Sequence, residues 1–267
     1  MIKRLIPLLA LLFALPCFGA ISHDTDSDTT QSCTSGCTSG VVNNVSSFAW
    51  TVAVNGPNPF LQISVDYNGG NSGGGNMSVS SVACSCGTVT LLVAPGYNWA
   101  TVAQWEGYVF APSTGTATIT VTMSEVPGQA DALYGAASSY KGAHQSALDS
   151  TGCTGSSALN GTTMACNVTT VTANAWILDS AISYSYNPAS MVPSSPQVTT
   201  STLYAVSTQP KGTGTSYHGP ISSPGSTSDT WTNSNNVTVA GSGQIIAFSI
   251  KPAASTGTVR RRGAVIQ

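Results

Sequence analysis

The sequence predicts an all-β protein, an antiparallel two-sheet β-sandwich. Two observations carry this expectation. Apolar residues recur at every second position in short runs rich in Val, Ile, Thr and aromatics, the period of a strand whose two faces differ. Clusters of Gly, Pro, Asn and Ser separate those runs, and no stretch keeps a 3.6-residue period. About ten short strands with turn signals between them fold into packed antiparallel layers.

The elements follow in order. Phe48, Trp50, Val52 and Val54 alternate with polar or small residues, and so do the residues of Leu61-Gln-Ile-Ser-Val-Asp-Tyr67. Val89, Leu91 and Val93 mark a third run. In 116–123 Ala117, Ile119, Val121 and Met123 share one face and four threonines the other, the pattern of a half-buried strand. Trp176, Leu178 and Ile182, then Ile246, Phe248 and Ile250, close the series. Turns are expected at 55–59, 68–76, 112–115, 127–128, 188–196, 211–214 and 219–220. The polar entry segment 21–40 and the end 255–267 are expected to be flexible tails around one sandwich domain at 41–254.

The N-terminus points to export. Lys3 and Arg4 precede an apolar run from Leu5 to Leu15, and small residues follow at Gly19 and Ala20. This is the layout of a signal peptide covering 1–20, with cleavage near Gly19 or Ala20, and the run is too short to span a bilayer. Ala14 and Pro16 before Cys17 do not fit a lipobox. Only 7% of residues are charged and the net charge is −2, so no basic field exists to hold nucleic acid. At 41% hydrophobic and patterned, the chain is not a disordered one. No later stretch is apolar enough to cross a membrane.

The segments "CGTVTLL" (86–92), "AQWEGYVFAP" (103–112), "STGTATITVTMS" (113–124), "ALYGAASSYKGAHQSAL" (132–148), "NVTTVTANAWILDSAIS" (167–183) and "GQIIAFSIKPA" (243–253), in that order, resemble a jelly-roll-like β-sandwich module of secreted and surface proteins of bacteria. The resemblance spans roughly 45–253 and implies a jelly-roll-like fold. The chain departs from the module at Cys84-Ser-Cys86-Gly87, in place of a Gly-Gly turn, and at His144, in place of an acidic residue before Gln145.

Catalytic motifs are weak. Gly70-Asn-Ser-Gly-Gly74 echoes a serine-protease nucleophile loop, but the histidine such a loop needs upstream of Ser72 is represented only by His23 in the entry segment. His23, His144 and His218 show no metal-binding spacing. Asp66, Asn68 and Asn71 offer oxygen ligands, but Met77 stands where an EF-hand needs an acid, and the acidic tail at 23–28 is a poor cage. No metal and no cofactor are therefore expected. Glu106 and Asp179 are the carboxylates placed in strands. Glu106 lies on the face opposite Trp105, read here as the solvent face of a sheet and not as a catalytic cleft, so no catalytic residue is assigned.

Aromatics give the better functional candidates. Trp99, Trp231, Tyr217 and Tyr108 lie near Asn, Gly, Ser and Thr or on strands with a polar face, where flat rings can stack on sugars; Trp50 and Trp176 are expected in the core. Cys33, Cys37, Cys84, Cys86, Cys153 and Cys166 remain after signal cleavage, an even set that in an exported chain argues for disulfides. Cys153 is expected to pair with Cys166. A bridge from Cys84 to Cys86 within one strand is strained, so Cys33 and Cys37 are expected to pair with them. Arg260, Arg261 and Arg262 read as a solvated basic tail. Together these features point to an exported, non-catalytic sandwich for surface binding or adhesion, with a glycan as ligand class. A purely structural surface or matrix protein is the alternative, and a secreted hydrolase the second alternative.

Overall fold

Four antiparallel sheets stack where the pattern of alternation suggested two. The computed structural model describes residues 20–36, 46–67, 78–93, 103–124, 133–156, 163–184, 191–205, 211–233 and 243–254. The first half of the chain forms β1 (Ser22–Asp28), one helical turn α1 (Thr29–Ser32), β2 (Cys33–Ser35), β3 (Ser47–Val54), β4 (Phe60–Tyr67), β5 (Val79–Cys84), β6 (Thr90–Val93), β7 (Ala103–Phe110), β8 (Gly115–Met123) and β9 (Leu133–Lys141). The second half forms β10 (Ser150–Ser156), β11 (Thr163–Thr170), β12 (Ala175–Tyr184), β13 (Met191–Pro193), β14 (Val198–Ala205), β15 (Lys211–Ile221), β16 (Gly225–Asn233) and β17 (Gly243–Ile250).

The sheets run, in stacking order, β2-β3-β8-β5, then β1-β9-β4-β7-β6, then β10-β17-β12-β15-β14, then β11-β16-β13. Each half is thus a two-sheet sandwich. In each, the first strand pairs with the last, the second with the seventh and the third with the sixth once β2 is set aside. That is a long hairpin rolled on itself, the jelly-roll plan. The match between halves is strand for strand: β1, β9, β4, β7, β6 correspond to β10, β17, β12, β15, β14, and β3, β8, β5 to β11, β16, β13.

Local details repeat as well. Asn58 and Asn174 both take positive φ, 51° and 61°, two residues before Phe60 and Trp176; asparagine tolerates this region better than most residues. Gly115 and Gly225 open β8 and β16 at φ 118° and 157°. The exits from β9 and β17 meet each other: His144 N donates to Lys251 O and Ala253 N to Gly142 O, each at 2.8 Å.

Three layers of side chains separate the four sheets. Phe48, Trp50, Val52, Leu61, Ile63, Val65, Trp105, Ile119 and Val121 fill the first sandwich. Met164, Val168, Ile177, Met191, Trp231 and Ile245 fill the second. Between the two inner sheets lie Phe60, Tyr140, Trp176, Leu178, Phe248 and Ile250. Every residue of β4 and of β17 is buried, because each inner strand has protein on both faces.

Three expectations are corrected. The chain contains two stacked sandwiches in place of one at 41–254. The entry segment, expected to be flexible over 21–40, is structured through residue 36: β1 pairs with β9 and β2 with β3. Its polar residues find partners there, Asp24 accepting from Asn55 N at 2.8 Å and Asp28 capping α1 through Thr30 N, also at 2.8 Å. Finally, Lys211-Gly-Thr-Gly214 and Gly219-Pro220, read as turns, lie inside β15. Those glycines serve packing: a Cβ on Gly214 would stand 2.5 Å from Trp231 Cη2, and one on Gly219 2.4 Å from Trp176 Cγ. Of the signal peptide expected over 1–20, residues 1–19 lie outside the described residues, as does the end 255–267.

Candidate functional site

The layer between the inner sheets grades from aromatic to polar along each strand. On β4 the residues facing it are Phe60, Gln62, Ser64 and Asp66, and on β7 Phe110, Tyr108, Glu106 and Gln104, paired in that order. Period two places them on the face opposite Leu61, Ile63, Val65 and Trp105. Across the gap β12 contributes Trp176, Leu178 and Ser180, β15 Tyr217, Thr215 and Thr213, and β17 Ile250, Phe248 and Gln244. The registers make Tyr108 and Tyr217 counterparts in the two halves, beside Gln62 and Leu178 respectively.

At the aromatic end Tyr108 and Tyr217 are half-buried, as is Phe110. Tyr217 stacks on Trp176 at 4.8 Å and on His23 at 5.4 Å. Tyr108 stacks on Phe60 at 5.7 Å and meets Phe110 edge-on at 4.9 Å. Partial burial raises the Tyr108 hydroxyl's pKa above its usual value, so the ring stays neutral at physiological pH. Two amphipathic rings, fixed by neighbours and partly open to water, lie at one end of the seam.

The polar middle is closed. Glu106 is fully buried; its Oε1 accepts from Gln62 Nε2 at 3.0 Å and its Oε2 from Ser180 Oγ at 2.6 Å. Gln62 Nε2 also reaches Asp179 O at 3.2 Å, and Gln104 Nε2 donates to Ser180 Oγ at 3.0 Å. Burial pushes Glu106 up to about 8, against the hydrogen bonds that favour its charged form. The expectation that Glu106 lies on a solvent face is therefore corrected: the second sandwich covers that face. Asp179 points the other way, into the second core, where Trp231 Nε1 donates to Oδ1 at 2.7 Å, Gln197 Nε2 to Oδ2 at 2.9 Å and Ser216 Oγ to both oxygens. Burial, then the charge of Asp229, raises Asp179 to about 7. Asp229 itself pairs with His218 Nδ1 at 2.8 Å. Both carboxylates are sealed from solvent.

Of the four aromatic candidates the structure brings Tyr108 and Tyr217 to the same end of the seam. It places Trp231 at 0% exposure in the second core, so Trp231 presents no face to a ligand and that expectation is corrected. Trp99 lies outside the described residues, as do Ser72, Asn68 and Asn71. The signal for Trp231 was present: Gly225-Ser-Thr-Ser-Asp-Thr-Trp-Thr232 repeats the alternation of Gly115-Thr-Ala-Thr-Ile-Thr-Val-Thr122, with hydroxyls outward and Trp231 in the place of Val121. Sequence reasoning missed Phe110, Trp176 and His23 as neighbours of the two tyrosines, because only the stacking of the halves joins them.

The cysteines pair differently from expectation. Cys153 and Cys166 form the expected disulfide, but Cys84 bonds to Cys86. The strand ends at Cys84 and the chain turns through Ser85, with Gly87 N donating to Cys84 O at 3.4 Å, so the two side chains are not held on one strand face. Cys33 is also disulfide-bonded, while Cys37 lies outside the described residues. At the junction of the halves Gln145 Nε2 donates to Pro59 O and Ala143 O, and His144 Nδ1 accepts from Ser146 N at 3.3 Å. Among the described residues no group of three His, Cys, Asp or Glu is placed to hold a metal, and no helix is long and apolar enough to cross a membrane. Comparison with protein-family profiles, with curated proteins and with solved structures found no match.

Proposed function

We propose that this is an exported, non-catalytic protein of surface binding or adhesion, with carbohydrate as its ligand class. The observation that carries the reading is the pair Tyr108 and Tyr217, equivalent in the two halves, half-buried and braced by Phe60, Phe110 and Trp176 at one end of the seam. A braced ring loses little side-chain entropy on binding; Tyr217 is flanked by Trp176 and His23 and Tyr108 is stacked on Phe60, so the open ring edges and hydroxyls are what a sugar would meet. The signal-like N-terminus and the disulfides support export to an oxidising space. With so few charges, recognition would rest on stacking and neutral hydrogen bonds.

A glycan array probed with the mature chain tests the reading. Binding should change little between low and high salt, since screening weakens only charge-driven association. Tyr108→Ala and Tyr217→Ala should each weaken it by at least about tenfold, the scale of an interface hot spot. No glycan bound, or binding untouched by both substitutions, would replace this reading with the second one. That second reading is a purely structural surface protein, favoured by the closed polar layer and the burial of Trp50 and Trp231.

A further inference from the structure

We propose that the Cys84–Cys86 disulfide is a thiol–disulfide exchange centre, a second activity of this chain, which takes electrons from a dithiol at the turn that ends β5.

The two disulfides differ in what they hold. Cys153–Cys166 spans 13 residues of sequence and ties β10 in the inner sheet to β11 in the outer sheet of the second sandwich. Cys84–Cys86 spans two residues within a single turn. A crosslink stabilises a fold more as the loop it closes grows, so this one contributes little to folding. The turn is anchored without it. Ser85 N donates to Thr118 O and Thr118 N to Ser85 Oγ, each at 2.9 Å, and Ser113 N donates to Cys86 O at 2.8 Å. Opening the bond therefore leaves two thiols side by side on a fixed backbone.

The two sulfurs are also unequal. Cys84 is half-buried between the exposed Ala83 and Ser85, at the end of an edge strand, whereas Cys86 is 5% exposed and packs in the first core. Cys86 N donates to Cys84 Sγ at 3.2 Å. An N–H aimed at a sulfur favours its charged form, and a thiolate so stabilised leaves readily.

These differences assign the steps. A thiolate of the dithiol attacks the accessible Cys84 Sγ and forms a mixed disulfide. The bond to Cys86 Sγ breaks, and that sulfur takes up a proton as a buried thiol. The second thiolate of the dithiol then attacks its own sulfur in the mixed disulfide and expels Cys84 Sγ as the thiolate held by Cys86 N–H. Two electrons pass from the dithiol to the Cys84–Cys86 bond, and the dithiol leaves as a disulfide. With a monothiol, a second molecule performs the second attack.

The test uses the folded mature chain, treated in one arm with glutathione and in another with a reduced peptide carrying two cysteines, followed by rapid alkylation and peptide mapping. Cys84 and Cys86 should be alkylated at least about tenfold faster than Cys153 and Cys166, as accessible disulfides exchange before buried ones. Reaction in both arms supports protein dithiols as substrates, and reaction with glutathione alone supports a small thiol. Cys86→Ser keeps the backbone donor and frees Cys84, whose alkylation rate should titrate below the usual thiol value of about 8.5. Cys84→Ser, which leaves the thiol buried at Cys86, should react at least about tenfold more slowly. The double variant Cys84→Ser with Cys86→Ser should keep a cooperative melting transition. Cys153–Cys166 opening as fast as Cys84–Cys86, no exchange in either arm, a Cys84 titration at or above the usual value, or an unfolded double variant would each overturn the proposal.

Discussion

Trp231→Ala should destabilise the second sandwich severely. Trp231 is fully buried among Met164, Cys166, Ile177, Ala181, Met191, Ile245 and Ala247, and its ring edge rests on the backbone at Gly214. Removing a buried tryptophan costs about 3–5 kcal/mol in lost transfer energy and cavity. Its indole N–H is also one of the donors to Asp179 Oδ1, at 2.7 Å, and stripping a donor from a buried carboxylate adds about 1–3 kcal/mol. The sum, about 4–8 kcal/mol, is comparable to the whole stability of an ordinary domain. Trp231→Phe keeps most of the volume and should cost mainly the hydrogen bond. Urea denaturation followed by far-ultraviolet circular dichroism reads the difference as a shift in midpoint. A cost below about 1 kcal/mol for Trp231→Ala would refute the burial argument and return Trp231 to the surface, since changes there are usually small.

Further outcomes follow from the same geometry. Glu106 at about 8 and Asp179 at about 7 hold protons more tightly in the folded chain than at their unfolded values of 4.5 and 3.8, so their stabilisation is complete below about pH 4 and is lost as pH rises through 7 and 8. A tenfold change in proton affinity corresponds to about 1.4 kcal/mol, so the protein should melt lower at pH 8 than at pH 5, and Asp179→Asn should flatten that slope; a melting temperature rising from pH 5 to pH 8 would contradict it. Peptide mapping without reduction should recover Cys84 and Cys86 as an intra-peptide disulfide and Cys153 linked to Cys166; a crosslink from Cys84 or Cys86 to Cys33 would restore the pairing expected from the spacing. Gly219→Ala, whose new methyl would stand 2.4 Å from Trp176 Cγ, should cost about 1–3 kcal/mol by overpacking and loosen Tyr217, read as a lowered melting temperature and weakened glycan binding; a neutral effect on both would show that Trp176 yields freely.

The local structure was largely legible in the sequence. Alternation located β3, β4 and β8 within a residue or so and β17 except for its first three residues, and assigned Phe48, Trp50, Ile119 and Val121 to a core. What alternation cannot tell is what lies beyond a polar face. Gln62, Ser64, Asp66, Gln104 and Glu106 look like a solvated face because water and a polar protein layer select the same residue types; only the stacking of the second half buries them. The same ambiguity hid Trp231, set among threonines that face outward. Glycine misled in β15, where Gly214 and Gly219 make room for indole rings and do not mark turns. The Cys84-Ser-Cys86 pairing was missed because the turn at Ser85 ends the strand at Cys84, two residues earlier than the alternation implied. Of the candidate site, the tyrosines were visible, whereas their equivalence depends on the correspondence of β7 with β15.

Oxidative footprinting of the intact chain with hydroxyl radicals tests the stacked arrangement most directly, because it reads the exposure of every aromatic ring in one experiment. Tyr108, Tyr217 and Phe110 should be modified in the native state, Trp50, Trp231 and Tyr140 should stay silent until the chain is unfolded, and a bound glycan should protect the two tyrosines. Native-state labelling of Tyr140 as fast as that of Tyr217 would mean that the inner sheets are not sealed against each other, and equally fast labelling of Trp231 would mean that the second sandwich is open; either result would sink the two-sandwich arrangement.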